Sequence, residues 1–261
     1  GGNVLIGQNR VSVDIQTQFA NPIKSNIFSL LEEYGINIKE NLVLDKSCGK
    51  VNVQQNMGIF RMAVPMDYPF IPVVTSFNSD EIIVSGIEQY QVMFPSEISI
   101  DSEVTNIDVY PLFTSSNQSS IMTGYYNLNP DPQANPILTQ LRDKGKLLAV
   151  RAAINNTNNG KLNNIIAISD SKFISDNGLG TSSENHIFLL NAIDYLLGDQ
   201  ELIALRSREI TTRPLQELDN TSKTTWKWIN MLLPSILIIV FGIFRFRLER
   251  KRSDFLEEQY G

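Results

Sequence analysis

The sequence predicts an α/β domain with a β-rich insertion, closed by one membrane-spanning helix. Three observations carry that prediction. Short extended runs flank an amphipathic helical period near the start of the chain and again late in it; proline and β-branched residues recur without a helical period over about 51–120; and Trp226 to Phe244, WKWINMLLPSILIIVFGIF, holds a single charge, Lys227.

Taken in order, Asn3 to Ile6 is a short apolar run, and Val11, Val13 and Ile15 then alternate with polar residues, which is strand patterning. Ile23, Ile27, Leu30, Leu31 and Tyr34 recur at helical spacing and stop at Gly35, a residue suited to a helix C-terminus. Ile36, Ile38 and Leu42 to Leu44 resume extended patterning, so strand, helix and strand open an α/β unit. Within 51–120 the predicted strands are Phe60 to Val64, Ile71 to Thr75, Ile82 to Val84 and Ile107 to Phe113, with Pro65, Pro69, Pro72 and Pro95 at edges and turns. Ser115 to Ser120 and Asn127 to Asn135 read as surface loops.

Lys146 to Ile154 and Asn164 to Ser169 are the next two strands. The second runs into Asp170, Ser171, Lys172 and Phe173, then Ser175 and Asp176. Thr181 and Glu184 have capping-box spacing, and Leu189, Leu190, Ile193, Leu196 and Leu197 form the apolar face of a helix ending near Gly198. A turn between a strand's carboxyl end and a helix is where open α/β sheets usually bind ligands, so Asp170, Ser171 and Asp176 are the candidate ligand-binding residues. The competing role for each carboxylate is local: capping nearby backbone amides.

From Trp228 the closing stretch runs about 17 residues without a charge, or ~25 Å of helix, within the range that spans a bilayer. Trp226 and Trp228 mark its entry at headgroup level, and Arg245, Arg247, Arg250, Lys251 and Arg252 follow its exit against Arg213, Lys223 and Lys227 before it. The predicted layout is therefore an extracytoplasmic domain over 1–213, a linker over 214–225, the span over 226–244 and a cytoplasmic tail over 245–261 in the cytoplasmic (inner) membrane. With no Met or apolar leader at its start, the chain reads as a fragment whose export signal or first membrane helix lies upstream.

Charge narrows the function. The formal net charge is -6; the tail from Arg245 has five basic residues against Glu249, Asp254, Glu257 and Glu258, or +1, which leaves -7 for the rest and argues against a nucleic-acid partner. A lone cysteine, Cys48, and one histidine, His186, exclude an internal disulfide and a four-ligand Cys/His zinc site. Neither a GxxxxGK[ST] nor a GxGxxG phosphate loop occurs, so no motif in the chain marks it as an ATPase.

AISDSKFISD, then ENHIFLLNAIDYLLGDQELIALRSREITTRPL, then NMLLPSILIIVFGIFRFRLERKR resembles the C-terminal half of the gliding-motility-type ABC transporter auxiliary proteins, the GldG family. Asp170, Ser171 and Phe173 match that family's acidic turn; Asn185, Asn191, Tyr195 and Leu196 match its helix; Arg213, Pro214 and Leu215 match the segment before its anchor. Ser169 stands where the family often has Gly, and Lys172 where it often has a second acid. The opening GGNVLIGQNRVSVD and NLVLDKSCGKVNV are similar to its middle region. The resemblance implies a glutamine-amidotransferase-like (intraflagellar-transport-like) α/β domain tethered beside an ABC permease and ATPase, with no catalytic activity, no cofactor and an unspecified cargo. Membrane lipid is the other partner.

Two other functions fit fewer residues. A membrane-anchored surface hydrolase or amidotransferase-like enzyme would need Cys48 and His186 as its catalytic pair. A polysaccharide- or peptide-binding protein would use Tyr68, Phe70, Tyr110, Tyr125 and Tyr126 to line a groove.

Overall fold

A computed structural model describes residues 2–15, 17–57, 60–155, 162–174, 183–209 and 220–260. Alternation at the start of the chain gives β1 (Val4–Gly7), β2 (Val11–Asp14) and β3 (Phe19–Pro22), the last two pairing as an antiparallel hairpin. The first helix, α1 (Asn26–Glu32), begins where Ser25 Oγ accepts the Ile27 N–H. The chain leaves it through Gly35, whose φ of +74° is a conformation that side chains with a Cβ disfavour.

β4 (Ile36–Ile38), β5 (Leu42–Asp45), β6 (Cys48–Met57), β7 (Phe60–Val74), β8 (Ser76–Phe77), β9 (Tyr90–Gln91), β10 (Ile98–Ile100), β11 (Ile107–Thr114) and β12 (Ser119–Met122) follow. Then come β13 (Leu147–Asn155), β14 (Leu162–Ile168), α2 (Ser183–Leu197), α3 (Gln200–Glu209) and α4 (Asn220–Tyr260). The largest sheet has the order β1-β14-β13-β11-β8, parallel between β1 and β14 and antiparallel elsewhere. β6, β7 and β9 form a second sheet, and β4 with β10 and β5 with β12 form two-stranded pairs.

Alternation along β14 puts a core on each face of the large sheet. Ile165 and Ala167 pack with Phe28 and Leu31 of α1, while Ile166 and Ile168 pack with Phe188 and Ala192 of α2. Leu42, Leu44, Tyr68, Phe70 and Phe94 make a third cluster. Each large apolar side chain fully buried this way contributes about 1.5–3 kcal/mol.

The stretch 51–120 is β-rich, but it does not stand apart as an insertion, because β8 and β11 belong to the same sheet as β13 and β14. Ile82–Val84 is a 3-10 turn rather than a strand. Pro65, Pro69 and Pro72 lie inside one strand, β7, instead of ending it; Pro65 and Pro72 sit opposite Asn52 and Cys48. Proline is tolerated there because the bonds made on the second side of β7 at Phe70 and Pro72 use its carbonyls, which accept the Phe94 and Val92 N–H groups, and ask for no proline N–H.

Helix α2 ends as predicted before Gly198 but turns a different face inward. Asn185, Phe188, Asn191 and Ala192 are buried, while Leu190, Ile193 and Leu197 are exposed. The aromatic residues proposed as one groove are dispersed: Tyr68, Phe70 and Tyr126 are core residues, Tyr110 lies against Arg151, and Tyr125 is exposed.

The chain divides into two compact units, Gly1–Arg213 and Pro214–Gly261. In the second, residues 214–219 of the proposed linker lie outside the described residues, and α4 runs unbroken through 220–225, the apolar stretch and most of the tail. Its segment Thr224–Arg247, 24 residues, is long and apolar enough to cross a membrane, and none of that window is buried. Trp226 and Trp228 lie at its start and Arg245 and Arg247 at its end.

Candidate functional site

The turn after β14 is built from the bottom of the large sheet upward. β1 and β14 run parallel and in register from Val4 with Ile165 to Gly7 with Ile168, so residues just past the two strands meet at one end of the sheet. A Cβ on Gly7 would lie 2.6 Å from both the Asp170 carbonyl oxygen and the Phe173 ring, which is why this approach requires glycine.

Two residues past Gly7, Asn9 reaches across the junction. Its Nδ2 donates to the carbonyls of Met93 and Phe94 at 3.0 and 2.9 Å, and its Oδ1 accepts from the Ser171 N–H and hydroxyl at 2.7 and 2.6 Å. Asp170 is 0 % exposed and accepts the Met93 N–H on one carboxylate oxygen at 2.8 Å and the Lys172 N–H on the other at 2.7 Å. Burial pushes the Asp170 carboxyl up to about 6, against those two N–H donors and Lys172, which favour its ionised form. Burial and the Asp170 charge together hold the Tyr90 phenol well above its usual range.

Helix α2 extends the same pattern. Asn185 Oδ1 accepts the Gln91 N–H at 3.0 Å, and its Nδ2 donates to the carbonyls of Gln91 and Phe173 at 2.8 and 3.1 Å. One turn and a half later, Asn191 Nδ2 donates to the carbonyls of Ile83 and Ser85 at 3.0 and 3.1 Å. Glu184 Oε2 accepts the N–H groups of Glu88 and Gln89 at 2.8 and 2.7 Å. Segment 82–91 has little regular structure to satisfy its backbone, and these side chains of α2 supply the missing partners.

The structure therefore brings Asp170 together with Asn9, Asn185 and the backbone of Met93 in one buried clasp, with Ser171 exposed at its rim. Asp176 and Thr181 lie outside the described residues. Asn9 had no distinguishing pattern in the sequence; only the pairing of β1 with β14 makes it a neighbour of Asp170.

The catalytic pair of the enzyme reading is not assembled. Cys48 opens β6 half-buried, and burial together with Asp67 pushes its thiol up to about 11, so it is protonated at neutral pH. His186 is exposed on α2, and among the described residues no hydrogen bond joins it to Cys48. A cavity of about 650 Å³ lies elsewhere, between the β6-β7 hairpin and the loop around Leu128 to Gln133.

Of the comparisons with known proteins, the match to a family model is the one that bears on ABC transport. An uncharacterized protein of Borreliella burgdorferi is 24 % identical over 266 aligned positions, which cover 97 % of this chain and 52 % of that protein. The chain thus spans about half the length of the curated relative it matches. No solved structure matches it. The model of the family described as "ABC-type uncharacterized transport system" matches residues 1–197, three quarters of the chain with the clasp inside them, and the chain belongs to that family.

Proposed function

We propose that this chain is a non-catalytic, membrane-anchored auxiliary subunit of an ABC transport system of the gliding-motility type, working beside separate permease and ATPase subunits. The observation that carries the proposal is the joining of a family-matched, acidic α/β unit to a 24-residue apolar helix with no buried side chain in its window. In water such a surface would aggregate; in a bilayer its ~36 Å length covers the hydrocarbon core. The flanking tryptophans and the basic cluster from Arg245 favour the α/β unit outside the cytoplasm and the tail inside, in the cytoplasmic membrane.

In this reading the Asp170 turn has a structural task. A carboxylate with no exposed surface and a backbone amide on each oxygen is placed to hold the chain rather than to meet a cation or polar ligand from solvent. Sequence resemblance is our basis for placing the unit among the glutamine-amidotransferase-like folds, with β1 and β14 as its parallel pair.

Extraction of the full chain from its native membrane in gentle detergent, followed by identification of what co-purifies, tests the proposal. An ABC ATPase and a polytopic permease in constant ratio are expected. Recovery of the protein alone, from membranes in which other complexes survive extraction, would overturn it.

A further inference from the structure

The cavity beside the hairpin has a feature that the clasp lacks: unspent backbone. Val51, Asn52, Val53 and Gln54 of β6 all line it. Successive side chains of a strand point to opposite faces, so a cavity touched by four consecutive residues of β6, and also by Met66 and Tyr68 of β7, covers one face of the hairpin and reaches the free edge of β6. β6 is the outer strand of its sheet, and among the described residues no strand pairs with its free edge.

Register identifies which groups point outward. Antiparallel partners alternate between pairs that exchange both hydrogen bonds and pairs that exchange none. Pro65, with no N–H to exchange, stands opposite Asn52, and Ala63 stands opposite Gln54. Asn52 and Gln54 therefore direct their N–H and C=O groups to the free edge, while Val51 and Val53 bond to β7.

The opposite wall is stiff. Asn127, Asn129 and Asp131 each accept, through a side-chain oxygen, the N–H two residues on at 3.1, 2.8 and 2.9 Å. Asn135, 2 % exposed, donates to the carbonyls of Asn127 and Asn129. Tyr68 donates its hydroxyl to the Leu128 carbonyl at 3.0 Å and closes the floor. Among the described residues of the lining, Asp131 is the one charged group, and no lysine or arginine contributes.

We propose that this groove binds an extended polypeptide segment, which adds to β6 as a further strand and presents neutral or basic side chains to Asp131. A row of alternating N–H and C=O groups is complemented in full by another extended backbone, and four lining residues correspond to about 13 Å, or about four residues of ligand. The fixed wall lowers the ordering cost of binding. This inference does not depend on the transport reading.

The test uses the full chain in detergent micelles and a fluorescein-labelled hexapeptide, Lys-Thr-Val-Lys-Val-Thr, followed by anisotropy. Strand addition is driven mainly by main-chain bonds, so a generic β-prone, basic peptide is a fair probe. Two further peptides carry N-methyl groups on alternate amides, one blocking each edge. One methylated form should bind at least about tenfold more weakly and the other like the parent, since only one edge meets β6. Asn52→Pro, which removes an outward N–H and no ladder bond, should weaken the parent peptide by a similar factor. If that variant does not fold, the methylated pair decides alone. No saturable binding up to about 1 mM, equal binding of all three peptides, or displacement of the peptide by a neutral chitin hexasaccharide would overturn the proposal.

Discussion

Around Asp170 and along β6 the chain uses the same chemical groups to opposite ends. At the clasp, Asn9, Asp170, Asn185 and Asn191 are buried and committed to named backbone partners. Beside β6, Asn52 and Gln54 are exposed, and their backbone groups face a cavity. The turn and helix positions that carry the resemblance, Asp170, Ser171, Phe173, Asn185 and Asn191, fall in the first region, whereas NLVLDKSCGKVNV runs on into β6 as far as Val53. Binding capacity resides where polar groups have not been used.

Asp170→Ala is the sharpest way to break this contrast. It leaves the buried Met93 N–H and the part-buried Lys172 N–H without their partner, and should lower stability by on the order of 3 kcal/mol, read from the denaturant midpoint of the full chain by circular dichroism. A loss below about 1 kcal/mol would mean that Asp170 is not structural.

Next in size is a pH effect. The folded Asp170 carboxyl, raised to about 6 from 3.8, binds its proton more tightly than in the unfolded chain. Its contribution is therefore present below about 3.8 and is lost as pH rises through about 6, a decline of up to about 3 kcal/mol. Asp170→Asn should flatten that part of the stability profile; equal slopes in both proteins would contradict the burial-driven shift.

Asn185→Ala should cost about 2 kcal/mol, since three backbone groups of Gln91 and Phe173 lose their partner. Asn52→Pro should shift the unfolding midpoint by less than about 1 kcal/mol, because its N–H takes no part in the ladder with β7. If Asn52→Pro proved as destabilising as Asn185→Ala, the register argument for the free edge would fail.

Much of the fold was legible. Strong local patterns predicted the β13 and β14 strands, α1 with its glycine exit, the C-terminal end of α2 and the long apolar helix. The face of α2 was not legible, because counting apolar residues selects Leu190, Ile193 and Leu197, while the interior needs Asn185 and Asn191 to satisfy the backbone of 82–91. Ile82–Val84 misled for a related reason: a β-branched triplet with no partner strand becomes a 3-10 turn held by α2. Of the candidate site, Asp170 and Ser171 were visible as a polar turn, but Asn9 and the edge of β6 depend on pairings distant in sequence, and no local period encodes those.

Amide hydrogen exchange on the full chain, without any ligand, tests most directly whether the two regions differ as described. The amides of Met93, Gln91 and Lys172 should exchange only with large-scale opening, and those of Val51 and Val53 should be slower than those of Asn52 and Gln54. Slow exchange at Asn52 and Gln54, or rapid exchange at Met93, would contradict the division between a spent clasp and an open edge.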